Sequence, residues 1–260
     1  MKRYLLQRLG STLVMLLAVS LIAFFLVRLV PGDTVTALLG ARYNPERAEA
    51  LREEYGLDRP MLVQYGLWIS HVAVGDFGTS AFTGRPVLSV IGNRLPVTLQ
   101  LASMALAFAL FIGIPFGVIS GATKSKVLDS IVTFFGLSGI SIPPFWLATI
   151  LILVFSLILG LFPSGRFVPI TEDPIRNLQR MILPAISLGA AVTAVVMRMT
   201  RASMIEVLGQ EYIKAAYAKG RSKTAVVVLH AFKNCLIPVM TISGIQVGYL
   251  LAGSVVIEQV

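Results

Sequence analysis

Five stretches of this chain contain no Asp, Glu, Lys or Arg, and they constrain the fold more than any other feature. They cover residues 9–27, 95–123, 130–165, 181–197 and 234–257. A helix needs about 20 apolar residues to cross the hydrocarbon core of a bilayer, where the backbone must satisfy its own hydrogen bonds. The sequence therefore predicts an all-α, polytopic transmembrane bundle with five spanning helices.

The charged residues predict the orientation of this bundle. The net charge is +9, although only 13% of the residues are charged, against about 25% in soluble domains. With the N-terminus placed in the cytoplasm, the cytoplasmic segments hold twelve basic and three acidic residues. An excess of Lys and Arg marks cytoplasmic loops. Because topology accounts for the positive charge, the pattern predicts a lipid bilayer and no nucleic acid as partner.

This topology divides the chain into three predicted segments. Residues 1–30 form an N-terminal segment with the first spanning helix, and residues 31–94 form an extracytoplasmic loop. Residues 95–260 form the core transmembrane domain, which includes the inner-face loop 198–233.

The extracytoplasmic loop contains two predicted helices. Pro45 and the acids after it suit a first helical turn, which predicts a charged helix over 46–55 that Gly56 terminates. Residues 61–74 are amphipathic and include Tyr65 and Trp68. Such rings favour the headgroup layer, so this helix is expected on the membrane surface or over the outer mouth.

Several kinds of chemistry have no residues to support them. His71 and His230 are far apart and predicted on opposite sides, so no metal site is expected. No Gly-Lys pair occurs, and with it no phosphate-binding loop of the Gly-x-x-x-x-Gly-Lys type. The chain is therefore predicted to be no enzyme and to hold no cofactor. The spans carry no central ionisable residue, which argues against an ion-coupled secondary carrier.

The inner-face loop contains the most informative segment. Good helix formers lie between Gly209 and Gly220, with Glu211 in the first turn and Lys219 in the last. A helix of about three turns is unstable alone in water, so it has to pack against something. The alternative is a surface helix that rests on lipid headgroups.

This segment resembles the coupling motif of ABC importers. The superfamily pattern is Glu-Ala-Ala-x3-Gly, and this chain has Lys in place of Glu, in Lys214-Ala215-Ala216-x3-Gly220. Fourteen residues then precede Cys235-Leu236-Ile237-Pro238. This longer spacing is similar to that of the peptide and nickel branch of binding-protein-dependent permeases.

Further segments along nearly the whole chain resemble the same branch. Each is weak alone, but together and in order they are specific: Leu29-Val30-Pro31-Gly32-Asp33, Tyr55-Gly56-Leu57-Asp58-Arg59-Pro60, Gly75-Asp76-Phe77-Gly78, Arg94-Leu95-Pro96, Ser141-Ile142-Pro143-Pro144 and Ile182-Leu183-Pro184.

The resemblance implies a type I ABC importer fold and a set of partners. These are a second, similar permease subunit, two cytoplasmic ATPase subunits that bind ATP and Mg, and an extracytoplasmic solute-binding protein. It implies that the ATPase-coupling residues are Glu211, Tyr212, Lys214, Ala215, Ala216, Lys219, Gly220, Arg221 and Ser222. The predicted contacts with the binding protein are Asp58, Arg59 and Asp76.

Five polar residues in the spans are candidates for the translocation pathway. They are Gln100, Ser138, Ser141, Thr193 and Gln246. The alternative for each is a hydrogen bond between neighbouring helices.

The transported solute stays open at this point. Peptides come first, then nickel, then glutathione-like or opine solutes. A secondary carrier and a membrane scaffold without transport are the alternatives from other classes. Members of the family usually continue into a sixth spanning helix, which is expected to be missing here because the sequence ends at Val260. The resemblance also implies a bacterial inner-membrane location.

Overall fold

The computed structural model describes residues 2–29, 34–39, 44–54, 56–80, 83–123 and 126–257. The chain divides into two compact units, Met1–Asn93 and Arg94–Val260. The predicted end of the first helix at Pro31–Asp33 and the predicted helix end at Tyr55 lie outside the described residues.

Helices make up most of the described residues. They are α1 (Lys2–Leu29), α2 (Thr34–Leu39), α3 (Pro45–Glu54), α4 (Met61–Ala73), α5 (Val87–Ala122), α6 (Lys126–Ser141), α7 (Pro144–Leu151), α8 (Pro174–Leu208), α9 (Glu211–Ala218), α10 (Lys223–Ala225) and α11 (Phe232–Ile257). A π-helical segment, Ile152–Ile158, extends α7, and a second one, Val226–Ala231, joins α10 to α11.

The predicted spanning helices can be compared with these bounds. Among the described residues, four helices are long and apolar enough to cross a membrane: α1, α5, α8 and the continuous stretch Lys223–Ile257. They correspond to four of the five uncharged stretches. The remaining stretch, 130–165, is divided between α6 and the shorter apolar helix Pro144–Ile158. The all-α membrane fold is confirmed, and the count of five spanning helices is approximate.

The division of this stretch has a local cause. Pro143 and Pro144 are adjacent, and a proline disfavours the helical conformation of the residue before it. Pro143 accordingly adopts φ −59° and ψ 134°, and α7 begins at Pro144. By contrast, α5, α8 and α11 continue through Pro115, Pro184 and Pro238.

The second unit is built around α8. In the most apolar stretch of 18 residues in α8, 61% of the residues are buried. This is a larger share than in any other candidate span that the structure describes. Helices α6, α7 and α11 all pack against it. Leu188, Val192 and Val196 are fully buried in its core-facing side. This makes α8 the helix that α6, α7 and α11 all contact.

Helix α5 approaches α8 through small residues. Ala102, Ala105, Ala109 and Gly113 are buried along one face of α5. At Gly117, an added Cβ would lie 2.6 Å from the Cβ of Thr200. Helices in lipid associate largely by such close van der Waals packing. Gly117 therefore provides a close helix contact.

In the first unit, α4 packs against α1 through aromatic rings. The Phe24 ring lies 5.3 Å from that of Tyr65 and 5.9 Å from that of Trp68. The Arg28 guanidinium lies 3.6 Å from the centre of the Phe24 ring and donates two hydrogen bonds to Gln64 Oε1. Edge-to-face ring pairs and cation–π contacts of this kind fix α4 beside α1.

The two predicted helices of this unit are present as α3 and α4. Gly56 follows α3 with φ +62°, the left-handed conformation that glycine adopts most readily. The short helix α2 was not predicted from the sequence, because six residues carry too little periodicity to be recognised.

Candidate functional site

The predicted coupling helix is present as α9, between two glycine-containing turns. Helix α8 ends at Leu208, and Gly209 is its C-cap. Helix α9 begins at Glu211. Gly220 has φ +75° and donates a backbone hydrogen bond to the carbonyl of Tyr217 over 2.9 Å. A side chain at Gly220 would be strained in this conformation. The two glycines flank α9, but the helix has eight residues, about two turns and not three, and Lys219 lies at its C-cap and not in its last turn.

One face of α9 is buried in the core of the second unit. Ile213 is 1% exposed and Ala216 is 8% exposed. Both belong to the same apolar cluster as Val226, Val227 and Ala231. Residues three apart share a helix face, so this pair attaches α9 to the π-helical segment. Sequence reasoning missed Ile213, although its spacing from Ala216 could have indicated a buried stripe.

The opposite face of α9 is exposed and polar. Tyr212 and Ala215 are exposed, as are Lys219 and Gly220 at its end. Lys214 donates to Glu211 Oε1 over 2.7 Å in an exposed ion pair. Such a pair contributes little to stability.

The turn after α9 leads back toward the membrane-spanning helices. Arg221 is exposed, and the Ser222 hydroxyl accepts a hydrogen bond from the backbone N–H of Ala225 over 3.3 Å. Ser222 therefore caps the helix that starts at Lys223. Of the nine predicted coupling residues, Ala216 differs from the others because it is buried beneath the exposed face.

A hydrogen bond that the sequence did not suggest joins α9 to α11. The side-chain amide of Asn234 donates from Nδ2 to Tyr212 Oη over 2.7 Å. The residues are 22 positions apart in the chain, and no sequence signal pairs them.

The five candidate pathway residues occupy different environments. Gln100 is hydrogen-bonded to Asn177, which is fully buried and also donates to the carbonyl of Val168 over 2.6 Å. The Thr193 hydroxyl donates to the carbonyl of Gly189 over 2.8 Å. Gln100 and Thr193 therefore form hydrogen bonds with residues outside the set of five candidates.

The other three candidates differ in exposure. Ser138 and Gln246 are half-buried, and Ser141 is exposed at the break between α6 and α7. The pathway role of all five stays a prediction. Asn177 was missed, because its pairing with Gln100 spans 77 positions.

The three candidate contacts for a binding protein lie in the first unit. Asp58 and Arg59 are exposed in the turn before α4. Asp76 Oδ2 lies 3.1 Å from His71 Nδ1, and Asp76 Oδ1 accepts from the backbone N–H of Gly78. These two hydrogen bonds, the one with His71 first, hold the pKa of the Asp76 carboxyl below its ordinary value.

Comparison with known proteins agrees with this architecture. Residues 113–260 match the family "Binding-protein-dependent transport system inner membrane component". Residues 1–102 match the N-terminal region of membrane components of the same transport systems.

Individual relatives align over the whole chain. A Brucella abortus (strain 2308) protein whose name assigns it to a peptide transport system is 39% identical over 260 residues, covering 100% of this chain and 83% of the relative. The oligopeptide transport system permease protein AppB of Bacillus subtilis (strain 168) is 38% identical, covering 100% and 83%. The glutathione transport system permease protein GsiC of Escherichia coli (strain K12) is 38% identical, covering 100% and 82%.

The fold and these matches define a multi-pass helical protein of the inner membrane. The chain belongs to the family of binding-protein-dependent transport system inner membrane components. It is a permease subunit of an ABC importer, which acts with a binding protein and an ATPase.

Proposed function

We propose that this chain is one of two permease subunits of a peptide importer and that α9 is the segment on which an ATPase subunit acts. The names of the aligned relatives support peptides as the solute, since they include peptide, oligopeptide and glutathione systems. Glutathione is itself a small peptide derivative, so these names share one chemical class.

The observation that carries this proposal is the two-sided construction of α9. Ile213 and Ala216 attach the helix to the core, while Tyr212, Lys214 and Lys219 face outward. A force applied to the exposed face therefore reaches the transmembrane helices without deforming a flexible loop. Two-state movements of packed helices are a common means of switching in transporters.

The proposed assembly contains a second permease subunit and two ATPase subunits. The ATPases hold ATP and Mg, because the sequence of this chain lacks the Gly-Lys pair of a phosphate-binding loop. A cytoplasmic N-terminus, favoured by the distribution of Lys and Arg, places α9 on the side of the ATPases. The exposed residues Asp58, Arg59 and Asp76 then face the binding protein.

The pathway in this proposal runs along the polar residues of the spans. Ser141, at the break between two helices, is the candidate with the strongest support, because interrupted helices in membranes often line cavities. Gln100 contributes to the packing of α5 against α8 through Asn177.

The proposal is tested by uptake into proteoliposomes that contain the complete complex and its binding protein. Radiolabelled dipeptides, glutathione and Ni²⁺ are offered separately, with ATP enclosed with the ATPases. We expect uptake of a peptide solute that requires ATP and the binding protein. Uptake of Ni²⁺ alone would reassign the solute. Uptake that follows an imposed ion gradient without ATP would show that the chain acts as a secondary carrier.

A further inference from the structure

Helix α9 is connected to the rest of its unit at two separate points. The first is apolar and buried, where Ile213 and Ala216 share a cluster with Val226 and Val227 of the π-helical segment. The second is the hydrogen bond of 2.7 Å between Asn234 Nδ2 and Tyr212 Oη. Asn234 is the third residue of α11, so this bond joins α9 to α11 directly.

The chain that leads from α9 to α11 is an indirect connection. It passes through the turn at Gly220, where φ is +75°, and then through the π-helical segment Val226–Ala231. A π-helical segment has a wider, less regular hydrogen-bond ladder than an α-helix and often occurs at functional sites.

The hydrogen bond bypasses this route. The Tyr212 side chain has a rigid ring, and its hydroxyl accepts a hydrogen bond from the first turn of α11. The two helices are thereby held together across 22 positions of the chain. Movement of α9 alone requires this bond to break, whereas movement of α9 and α11 together preserves it.

We propose that the Tyr212–Asn234 hydrogen bond makes α11 the helix that moves with α9, so that both side chains are positioning residues for the coupling of ATP hydrolysis to transport. This inference rests on the proposed function of α9. It assigns a role to Asn234, which lies outside the coupling segment and makes its contact from a different helix.

The test uses Tyr212→Phe, Asn234→Ala and the double variant in the complete complex, reconstituted with its binding protein. The readout is the number of peptide molecules taken up per ATP hydrolysed, measured beside the ATPase rate. We expect each single variant to lower this ratio about two- to tenfold, the range that corresponds to the loss of one hydrogen bond. The double variant should lower it no further, because both changes remove the same bond.

Tyr249→Phe is the matched control. Tyr249 lies on α11, outside α9, and is 46% exposed, against 43% for Tyr212. Its hydroxyl makes no hydrogen bond with the residues that the structure describes. It should keep the wild-type ratio. Thermal unfolding of each complex separates lost coupling from lost folding.

Three outcomes would overturn the inference while leaving the proposed function intact. Wild-type ratios in Tyr212→Phe and Asn234→Ala would show that the bond carries no coupling. Losses that multiply in the double variant would show that the two residues act separately. A loss in Tyr212→Phe alone would show that its hydroxyl serves contact with the ATPase. Failure of the proposed function looks different, because the wild-type complex would then show no ATP-dependent uptake.

Discussion

The short helices α4 and α9 are held in their units by different chemistry and expose different surfaces. Helix α4 packs against α1 through the rings of Phe24, Tyr65 and Trp68. Its free surface is apolar, since Leu62 is 73% exposed and the helix contains no Asp, Glu, Lys or Arg. Helix α9 is attached by aliphatic side chains, and its free surface carries Glu211, Lys214 and Lys219.

This difference indicates the surroundings in which each helix works. An uncharged helix with an exposed apolar surface and aromatic rings suits the interfacial layer of a bilayer. A helix that exposes charges and buries an aliphatic pair suits water or the polar surface of another protein. We therefore expect α4 to contact lipid and α9 to contact protein, and the following variants test how each one is anchored.

The largest effect is expected from Ala216→Glu, which places a carboxylate in the buried face of α9. Ala216 is 8% exposed among apolar neighbours. An unpaired charge in such a position costs about 3 kcal/mol or more. We expect a lower unfolding temperature of the complex and a loss of coupled uptake. Ala218→Glu puts the same group on an exposed position of α9, and its unfolding temperature should stay near that of the wild type. Equal stability of the two variants would show that the face of α9 that contains Ala216 is not buried as described.

A somewhat smaller effect is expected from Gly220→Pro. Proline fixes φ near −65° and has no N–H, whereas Gly220 has φ +75° and donates to the carbonyl of Tyr217. We expect a destabilisation of about 3 kcal/mol, confined to the end of α9, and uncoupling of ATP hydrolysis from uptake with insertion into the membrane unchanged. Gly220→Asn is the control, because Asn adopts positive φ more readily than other side chains. Normal transport by Gly220→Pro would exclude a rigid role for this turn.

The sequence predicted the elements that depend on local chemistry. The uncharged stretches located four helices long enough to cross a membrane, and Gly209 and Gly220 located both ends of α9. Gly56 likewise marked the end of α3. These features depend on hydropathy and on backbone conformation, which neighbouring residues determine.

Features that depend on distant partners could not be predicted in the same way. The bond between Tyr212 and Asn234 and the bond between Gln100 and Asn177 join residues on different helices. Gly117 shows the same limit, since its role follows from the position of Thr200 on α8. A single sequence contains no information about which polar residues meet across helices, and so the candidate pathway could be described only as a set of polar residues.

In the first unit, Phe24→Ala tests the anchoring of α4. The variant removes the two ring contacts with α4 and the cation–π contact with Arg28, which together amount to about 2 kcal/mol. We expect faster hydrogen exchange throughout α4 and a shift in the emission of Trp68, recorded in a Trp146→Phe background so that one tryptophan remains. The control is Leu26→Ala, since Leu26 lies on α1 like Phe24 but is 58% exposed. It should leave both signals unchanged. Unaltered exchange in Phe24→Ala would mean that lipid, and not α1, holds α4 in place.

The smallest effect is expected from Asp76→Asn in the turn after α4. The hydrogen bond with His71, and then that from the Gly78 N–H, lowers the pKa of the Asp76 carboxyl. A group whose folded pKa is lowered stabilises its surroundings above its unfolded pKa, about 3.9, and loses that contribution as the pH falls through the folded value. At pH 7 the Gly78 amide should therefore be better protected from exchange in the wild type than in Asp76→Asn. The two should converge only as the pH falls through the folded pKa, which lies below the ordinary value of about 3.9, because the wild-type carboxyl is then neutral too. Asp58→Asn, an exposed acid outside this turn, should match the wild type at every pH. If wild type and Asp76→Asn still differ at a pH where the carboxyl is neutral, the protection of the Gly78 amide depends on the shape of the side chain and not on its charge.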